Sequence, residues 1–251
     1  MPTTAGMSYP NFSTELYERS LVLQHPSDRL VNLRFSAIFS YTDMFVDVLT
    51  DFYFIFKTLE EKLETYKDHP CVKGVVTDNM LRTPAFEQDL RHFLGEKWQG
   101  SIQPSPMAVA YCDRINKVAK TDPSLLLAYI HTLYMVLLED GEVITQILRA
   151  ALALPDEKGL SVFHMDRRQR PSSLRALLER INKLHITRPM KEMIIEEKQL
   201  CFGLNNSVFT NAKPSWRAYY RVFKITAVFA VVVSLVVVAV RRGSLSSSER
   251  S

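Results

Sequence analysis

The chain has 251 residues, 47% of them hydrophobic, and a formal net charge of +4. This length suits one domain with an appendage or two small domains, and the hydrophobic fraction is large enough for a buried core. The three cysteines, Cys71, Cys112 and Cys201, are too few and too widely spaced for a disulfide framework or a metal knuckle, and they suit a reducing compartment.

The positive charge is concentrated at the C-terminal end. From Lys213 onward there are seven basic residues and one acidic residue, which leaves 24 basic and 26 acidic residues in the preceding part. A nearly neutral body with a basic tail is typical of a protein that meets a membrane surface, and it argues against a nucleic-acid-binding body. We therefore expect no nucleic acid partner.

The N-terminal region predicts a helix that ends at a histidine. Residues 1–12 lack the charged-then-apolar pattern of a secretory leader, and we expect them to be flexible. Ser13 and Thr14 are plausible N-caps of the helix, which runs to His25. Pro26 then stops or turns it.

Helical periodicity dominates the rest of the chain and glycine is scarce, so the predicted fold class is all-α. The first long helix is predicted over Thr42–Tyr66. Its aromatic run Phe52–Phe56 is either ordinary core packing or the wall of a site for a large flat ligand. Further helices are predicted near 84–95 and at 107–119, 172–184 and 190–208.

The stretch Leu125–Ala150 is apolar at helical spacing for about seven turns, and an acidic patch containing Gly141 interrupts it. A glycine inside a helix costs on the order of 1 kcal/mol relative to alanine. Its presence indicates a bend, or a place where another group approaches the backbone closely. A core helix that carries an exposed acidic turn is the simpler interpretation.

The C-terminal segment 213–251 predicts a membrane tail anchor with its span at about 222–240. Ile225–Val240 contains no charged residue, and as a helix it would be about 24 Å long, against a hydrocarbon core of roughly 30 Å. Lys224 and Arg241 can extend the span by reaching the interfaces. Four basic residues just upstream predict that the body lies in the cytosol.

Three stretches, in the same order, resemble the heme oxygenase family: 52–64, 83–98 and 122–209. The hydrophobic tail is similar to that of the animal, tail-anchored enzymes. The resemblance implies a heme oxygenase-like helical bundle over 13–212 and a C-terminal transmembrane helix. It also implies that haem, as substrate and cofactor, is cleaved to biliverdin, carbon monoxide and ferrous iron, with electrons from NADPH–cytochrome P450 reductase.

The resemblance places the axial ligand of the haem iron on the N-terminal helix. Matching Thr14 and Glu15 to the family's Ser-Glu pair puts His25 on the ligand position. A register shifted by one residue, which starts from Ser13, puts Gln24 there instead. We prefer the first register because it keeps both the glutamate and the histidine.

The basic residues with which the family holds the haem propionates are missing. In the preferred register, Glu18 and Val22 occupy their positions on the N-terminal helix. The late-helix positions fall on Leu174 and Leu178, and Arg175 is the candidate substitute.

The helix on the other, distal side of the haem also departs from the family pattern, which is Tyr-Leu-Gly-Asp-Leu-Ser-Gly-Gly-Gln. Val136 and Asp140 stand at two of its glycines, and Gly141 keeps the third. Leu137 stands at the catalytic aspartate. Asp140 follows Leu137 by three residues, so it lies on the same helical face and is the candidate replacement.

Three more residues complete the predicted pocket. His131 stands where the family has a tyrosine, so it is a candidate distal polar group alongside Asp140. Phe202 and Phe209 match the pocket-side aromatic pattern near the end of the domain.

Three functions are compatible with these departures. The first is a working oxygenase with an altered distal pocket, because the attack on the ring is partly the haem's own chemistry. The second is a haem carrier or sensor without the oxygenase step, and the third is a haem-free interaction protein. The family's usual membrane, the endoplasmic reticulum, is the expected location; a short tail followed by Arg241 and Arg242 leaves the mitochondrial outer membrane as the alternative.

Overall fold

A computed structural model of the chain describes residues 11–21, 41–154, 158–164 and 170–212. These residues form eight α-helices and four short 3₁₀ turns, and they contain no strand. The predicted all-α class is therefore confirmed. Contacts divide the chain between Ala212 and Lys213, and every described residue belongs to the first unit.

The helices closely follow the predicted segments, except that the central stretch is two helices. None of the described helices is both long and apolar enough to cross a membrane, and the span predicted at about 222–240 lies outside the described residues. The bounds are α1 Phe12–Leu21, α2 Thr42–Thr65, α3 Thr83–Leu94, α4 Pro106–Thr121, α5 Leu126–Glu139, α6 Gly141–Leu152, α7 Arg170–Asn182 and α8 Arg188–Asn211.

The aromatic run of α2 packs into the core. The ring of Phe56 lies 5.6 Å from that of Tyr134, and the ring of Tyr53 lies 5.3 Å from that of Trp98, both edge to face. Such pairs contribute about 0.5 to 1.5 kcal/mol beyond the burial of their area. Core packing, the first of the two predicted interpretations, therefore describes Tyr53 and Phe56, whereas Phe52 is half-buried and packs against Phe209.

The start of α1 differs from the prediction. The helix begins at Phe12, and the Oδ1 atom of Asn11 accepts hydrogen bonds from the backbone N–H and the hydroxyl of Thr14 at 2.9 and 2.6 Å. Asn11 therefore caps the helix, and the prediction of Ser13 or Thr14 as the cap was wrong. Asparagine is as good an N-cap as serine. Asn11, which precedes Ser13 and Thr14 in the chain, is the residue that caps the helix.

Three carboxylates fix the starts of segments that lie far along the chain. Asp51 accepts from the backbone N–H and the hydroxyl of Ser105 at 2.8 and 2.6 Å, just before α4. Glu60 accepts two backbone N–H bonds at the start of α3, at 2.6 and 3.1 Å. Asp89, fully buried, accepts two from the 3₁₀ turn Ser161–Phe163 at 2.8 and 2.9 Å. These bonds satisfy donors that the segments cannot satisfy themselves.

Candidate functional site

The predicted distal segment is divided at Asp140. This residue has φ −101° and ψ −9°, and it separates α5 from α6. Nearly every side chain of α5 is buried, whereas Gly141 and Leu148 are the buried residues of α6. Both predicted features are therefore present: the helix breaks at the acidic patch, and its first half is a core helix.

One face of this segment is open and apolar. Val136, Val143 and Ile147 are 42%, 57% and 44% exposed. Val143 and Ile147, four residues apart, share one face of α6, and Val136 is exposed on the last turn of α5, just before the break. Glu139 and Asp140 are also exposed and lie between them. We call these five residues the distal strip; it offers a flat apolar ligand a surface with two carboxylates at its middle.

The two carboxylates do not stand at the position that the resemblance gives to the catalytic aspartate. That position is Leu137, which is only 8% exposed and belongs to the main hydrophobic core. Burial, followed by the charge of Asp140, raises the pKa of Glu139 above its ordinary value. A proton is therefore held more readily on Glu139 than on an isolated glutamate.

The close approach predicted at Gly141 is made by the protein itself. A Cβ atom on Gly141 would lie 3.2 Å from the carbonyl oxygen of Phe163 and 3.5 Å from the Arg170 guanidinium. That guanidinium donates to the Phe163 carbonyl at 2.8 Å. Gly141 thus lets a turn of the chain pack against the start of α6, and its role toward a ligand stays a prediction.

His131 is placed in the interior, where it is 1% exposed. Its Nδ1 atom lies 3.0 Å from the Nζ atom of Lys198, which is itself 2% exposed. Burial, followed by the charge of Lys198, lowers the pKa of His131 to about 3, and burial lowers the pKa of Lys198 to about 8. At neutral pH the imidazole is therefore neutral and the amine mostly charged. As a distal group His131 stays a prediction.

Sequence reasoning missed Lys198, although a signal for its burial was present. Lys198 follows Ile194 by four residues and precedes Cys201 by three, and all three are buried on α8. Residues at this spacing share a helical face. Applying this spacing to Ile194, Lys198 and Cys201 would have predicted that the lysine side chain lies in the core.

A second buried polar group joins α4, α5 and α8. The Nε atom of Arg114 donates to the Glu197 carboxylate at 2.9 Å, and the hydroxyl of Tyr129 donates to the same carboxylate. Glu197 and Tyr129 are both buried. Burial, followed by the hydrogen bond to Glu197, raises the pKa of Tyr129. The phenol therefore stays protonated and donating.

The other predicted pocket residues are spread over two helices. The Phe209 ring lies 5.2 Å from that of Phe52 on α2, and Phe202 is half-buried. On α7, Arg175 is exposed, while Leu174 packs against the core. The structure thus brings Phe209 to α2 and leaves the Arg175 side chain in solvent.

The predicted iron ligand His25, its alternative Gln24 and the position Val22 lie outside the described residues, whereas Glu18 is exposed on α1. Within the described ranges, no group of three or more His, Cys, Asp or Glu side chains could hold a metal ion. The described part of the site is therefore the distal strip and the helices behind it.

Comparison with known proteins identifies the family that this chain matches. The family model described as Heme oxygenase matches residues 25–211. Heme oxygenase 2 of the cyanobacterium Synechocystis is 30% identical over 168 residues, which cover 65% of this chain and 67% of that protein. Human heme oxygenase 1 is 33% identical over 170 residues, which cover 66% and 59%.

Solved structures have the same fold. The crystal structure of Synechocystis heme oxygenase-1 in complex with heme superimposes with a TM-score of 0.77 at 22% identity and covers 88% of this chain and 99% of its own. Synechocystis heme oxygenase-2, in complex with heme and NO, gives a TM-score of 0.71 at 25% identity, with 79% and 84% covered. The predicted helical architecture of the domain is therefore confirmed.

Proposed function

The chain belongs to the heme oxygenase family, and from this premise we propose that it binds haem against the distal strip and cleaves it to biliverdin, carbon monoxide and ferrous iron. The observation that carries the proposal is the strip itself. Val136, Val143 and Ile147 form an exposed apolar face at a break in a helix that is otherwise buried. Contiguous exposed apolar faces mark binding sites, and an apolar face is the surface that a porphyrin ring would contact.

Bound haem supplies the iron and the ring carbon at which oxygen chemistry takes place. The chain supplies the surroundings. We assign Asp140, with Glu139 beside it, to holding and passing protons through water at the open face of the helix break. Carboxylates placed in this way assist proton transfer by about a hundredfold or more. The raised pKa of Glu139 supports its proton-donating half of this role.

The remaining residues bind and orient. We assign axial ligation to His25, with Gln24 as the alternative, and contact with a propionate to Arg175. The backbone at Val136, Leu137 and Gly141 lines the distal side, His131 lies behind it, and Phe202 and Phe209 close the pocket.

A second function, haem binding without cleavage, is favoured by Leu137. The position that resembles the catalytic aspartate is occupied by a side chain that packs into the hydrophobic core, so it can hold neither water nor a proton. If Asp140 does not take over this role, the chain binds haem as a carrier or sensor.

The electron donor and the membrane are also proposals. We propose that NADPH–cytochrome P450 reductase supplies the electrons, and that residues 213–251 anchor the chain in the endoplasmic reticulum membrane, with the mitochondrial outer membrane as the alternative. The charge-free run Ile225–Val240 supports the anchor. Fractionation of cells that express the chain with and without 213–251 tests it, and an unchanged distribution would remove the proposal.

The functions are separated by titrating the full-length chain with haem and then adding NADPH and reductase. A saturable Soret band that decays to a biliverdin spectrum supports the oxygenase, and a band that persists supports the carrier or sensor. No specific band overturns both and leaves the haem-free interaction protein.

The variant Asp140→Asn tests the assigned carboxylate. We expect turnover to fall on the order of a hundredfold with haem affinity unchanged. Asp113→Asn, an exposed carboxylate on α4, is the matched control and should turn over haem normally. Equal turnover in Asp140→Asn and the parent chain would remove Asp140 from the mechanism.

A further inference from the structure

Lys198 is a buried cation with two neutral partners. Its ammonium donates to the main-chain carbonyl of Leu16 in α1 at 3.0 Å and to Nδ1 of His131 in α5 at 3.0 Å. Taking an ammonium out of water is expensive unless its hydrogen bonds are made inside the protein. Burial opposes its charge, and the Glu139 carboxylate on α5 favours it.

The bond to Leu16 acts on the main chain of α1. A helical carbonyl has two lone pairs, and the helix itself uses one, so the second can accept from an outside donor. A main-chain bond fixes both the position of α1 along its axis and its rotation. The rotation of α1 matters because successive residues point about 100° apart around the helix axis. A change in rotation therefore changes the direction in which the last residues of α1 point.

The hydrogen bond to His131 fixes the position of the Lys198 ammonium. Since Lys198 donates to Nδ1, the imidazole proton lies on Nε2, which is buried without a hydrogen-bond partner among the described residues. The imidazole lies near the Ser13 backbone, and the ammonium bonds the Leu16 carbonyl, so the pair meets α1 at two places about one turn apart. The side chain of Leu16 is fully buried.

The outer side of α1 is held differently. Arg19 pairs with Glu192 at 2.6 Å, and Arg188 pairs with Glu15 at 2.9 Å. Arg188 is largely exposed, so its pair should weaken with salt, whereas Glu15 is buried and Arg19 is mostly buried, so this network also holds α1. A buried bond such as that of Lys198 is screened much less.

We infer that Lys198 is a positioning residue: with His131 as its partner, it holds α1, the helix that precedes the proposed axial ligand in the sequence, by the Leu16 carbonyl. The consequence for haem rests on the proposed function. The fixing of α1 does not.

Hydrogen exchange of the full-length chain without haem tests the fixing of α1. In Lys198→Met, we expect the amides of α1 to exchange about tenfold faster, the size expected for a lost charge-assisted hydrogen bond. Those of α2 should be unchanged. His131→Gln should have a smaller effect confined to α1, and Lys183→Met, an exposed lysine after α7, should have none. High salt should leave protection of α1 in the parent chain largely intact.

The spectrum of the ferric haem complex tests the consequence. We expect the parent chain and Lys183→Met to show one axially ligated species, and Lys198→Met to show a mixture. A folded Lys198→Met chain with parental exchange in α1 and a parental spectrum would overturn the inference. If that variant does not fold, His131→Gln decides: faster exchange confined to α1 supports the inference, and unchanged exchange overturns it.

A parent chain that binds no haem would defeat the proposed function. The exchange measurement would still decide whether Lys198 holds α1, so the two failures are distinguishable.

Discussion

The two halves of the distal segment are both apolar at helical spacing but have opposite surroundings. α5 is packed by α2, α4, α7 and α8, so even its polar residues His131 and Thr132 are buried. α6 packs mainly against the end of α5 and the turn Ser161–Phe163. It keeps Val143 and Ile147 in the open.

The difference follows from composition as well as from neighbours, because α5 is apolar nearly all round whereas α6 also carries Gln146 and Arg149. In α5 the apolar residues form the core, and the buried Tyr129, His131 and Tyr134 each have a partner on another helix. In α6 the apolar residues that face solvent do not contribute to the core of the described protein. Apolar periodicity alone therefore cannot distinguish a helix that supports a site from one that presents it.

The largest expected effect breaks a buried contact of α5. Glu197→Ala leaves the Arg114 guanidinium and the Tyr129 hydroxyl without their acceptor. We expect a loss of about 3 kcal/mol in the free energy of unfolding, measured by urea denaturation. The neighbouring exposed residue provides the control: Glu196→Ala should stay within about 0.5 kcal/mol. A loss below 1 kcal/mol for Glu197→Ala would show that α5 depends less on polar contacts than we infer.

The buried imidazole of α5 makes stability depend on pH. The unfolded chain binds a proton at His131 below about pH 6.5, but the folded chain does so only near its lowered pKa of about 3. Falling pH therefore favours unfolding between these values. Between pH 7 and pH 4.5 we expect this residue to remove about 2 kcal/mol of stability.

The variant His131→Gln should lack that loss, as judged by urea denaturation at the two pH values. His185→Gln, which changes an exposed histidine, should keep it. Equal pH slopes in His131→Gln and the parent chain would show that the imidazole is protonated without opening the fold.

A substitution on the exposed face of α6 should change haem binding and leave the free energy of unfolding nearly unchanged. Val143→Asn places an amide on the distal strip, and we expect haem affinity to fall about tenfold because apolar contact is lost. Unfolding should change by less than about 0.5 kcal/mol. Val109→Asn, on the exposed side of α4, is matched in residue and exposure and should affect neither quantity. Unchanged haem affinity in Val143→Asn would move the ligand away from α6.

The smallest effect concerns the junction of the two halves. In Gly141→Ala, the new Cβ atom presses on the Phe163 carbonyl at 3.2 Å, which offsets the gain of up to about 1 kcal/mol in helix propensity. We expect a net loss of about 0.5 kcal/mol or less. Gly203→Ala, where nothing lies within 4 Å, should instead gain about 0.5 kcal/mol. Equal gains at both positions would show that the turn yields freely.

The fold could be predicted largely from local signals. The buried residues of α2 recur at helical spacing, and Gly95, with φ 83°, follows the last residue of α3, close to the predicted end at 95. The N-terminal cap was harder to assign, because Asn11, Ser13 and Thr14 are all good capping residues and only the packing of α1 selects among them.

The site was less accessible from the sequence. The break at the acidic patch follows from Gly141 alone, but the group that covers this glycine is the main-chain carbonyl of Phe163, which carries no sequence signal. The partner of His131 lies 67 residues away on α8. Spacing along one helix predicts which face is buried, and it does not predict what that face meets.

The carboxylates of α2 have a consequence for the order of folding. Asp51 and Glu60 provide acceptors for the first turns of α4 and α3, across 54 and 22 residues of chain. A helix is slow to nucleate and its first turn is its weakest part. We therefore expect the starts of α3 and α4 to become stable only when α2 is in place beside them. α2 thus acts as a template for the starts of its neighbours. We expect α2, α3 and α4 to fold together in one cooperative step.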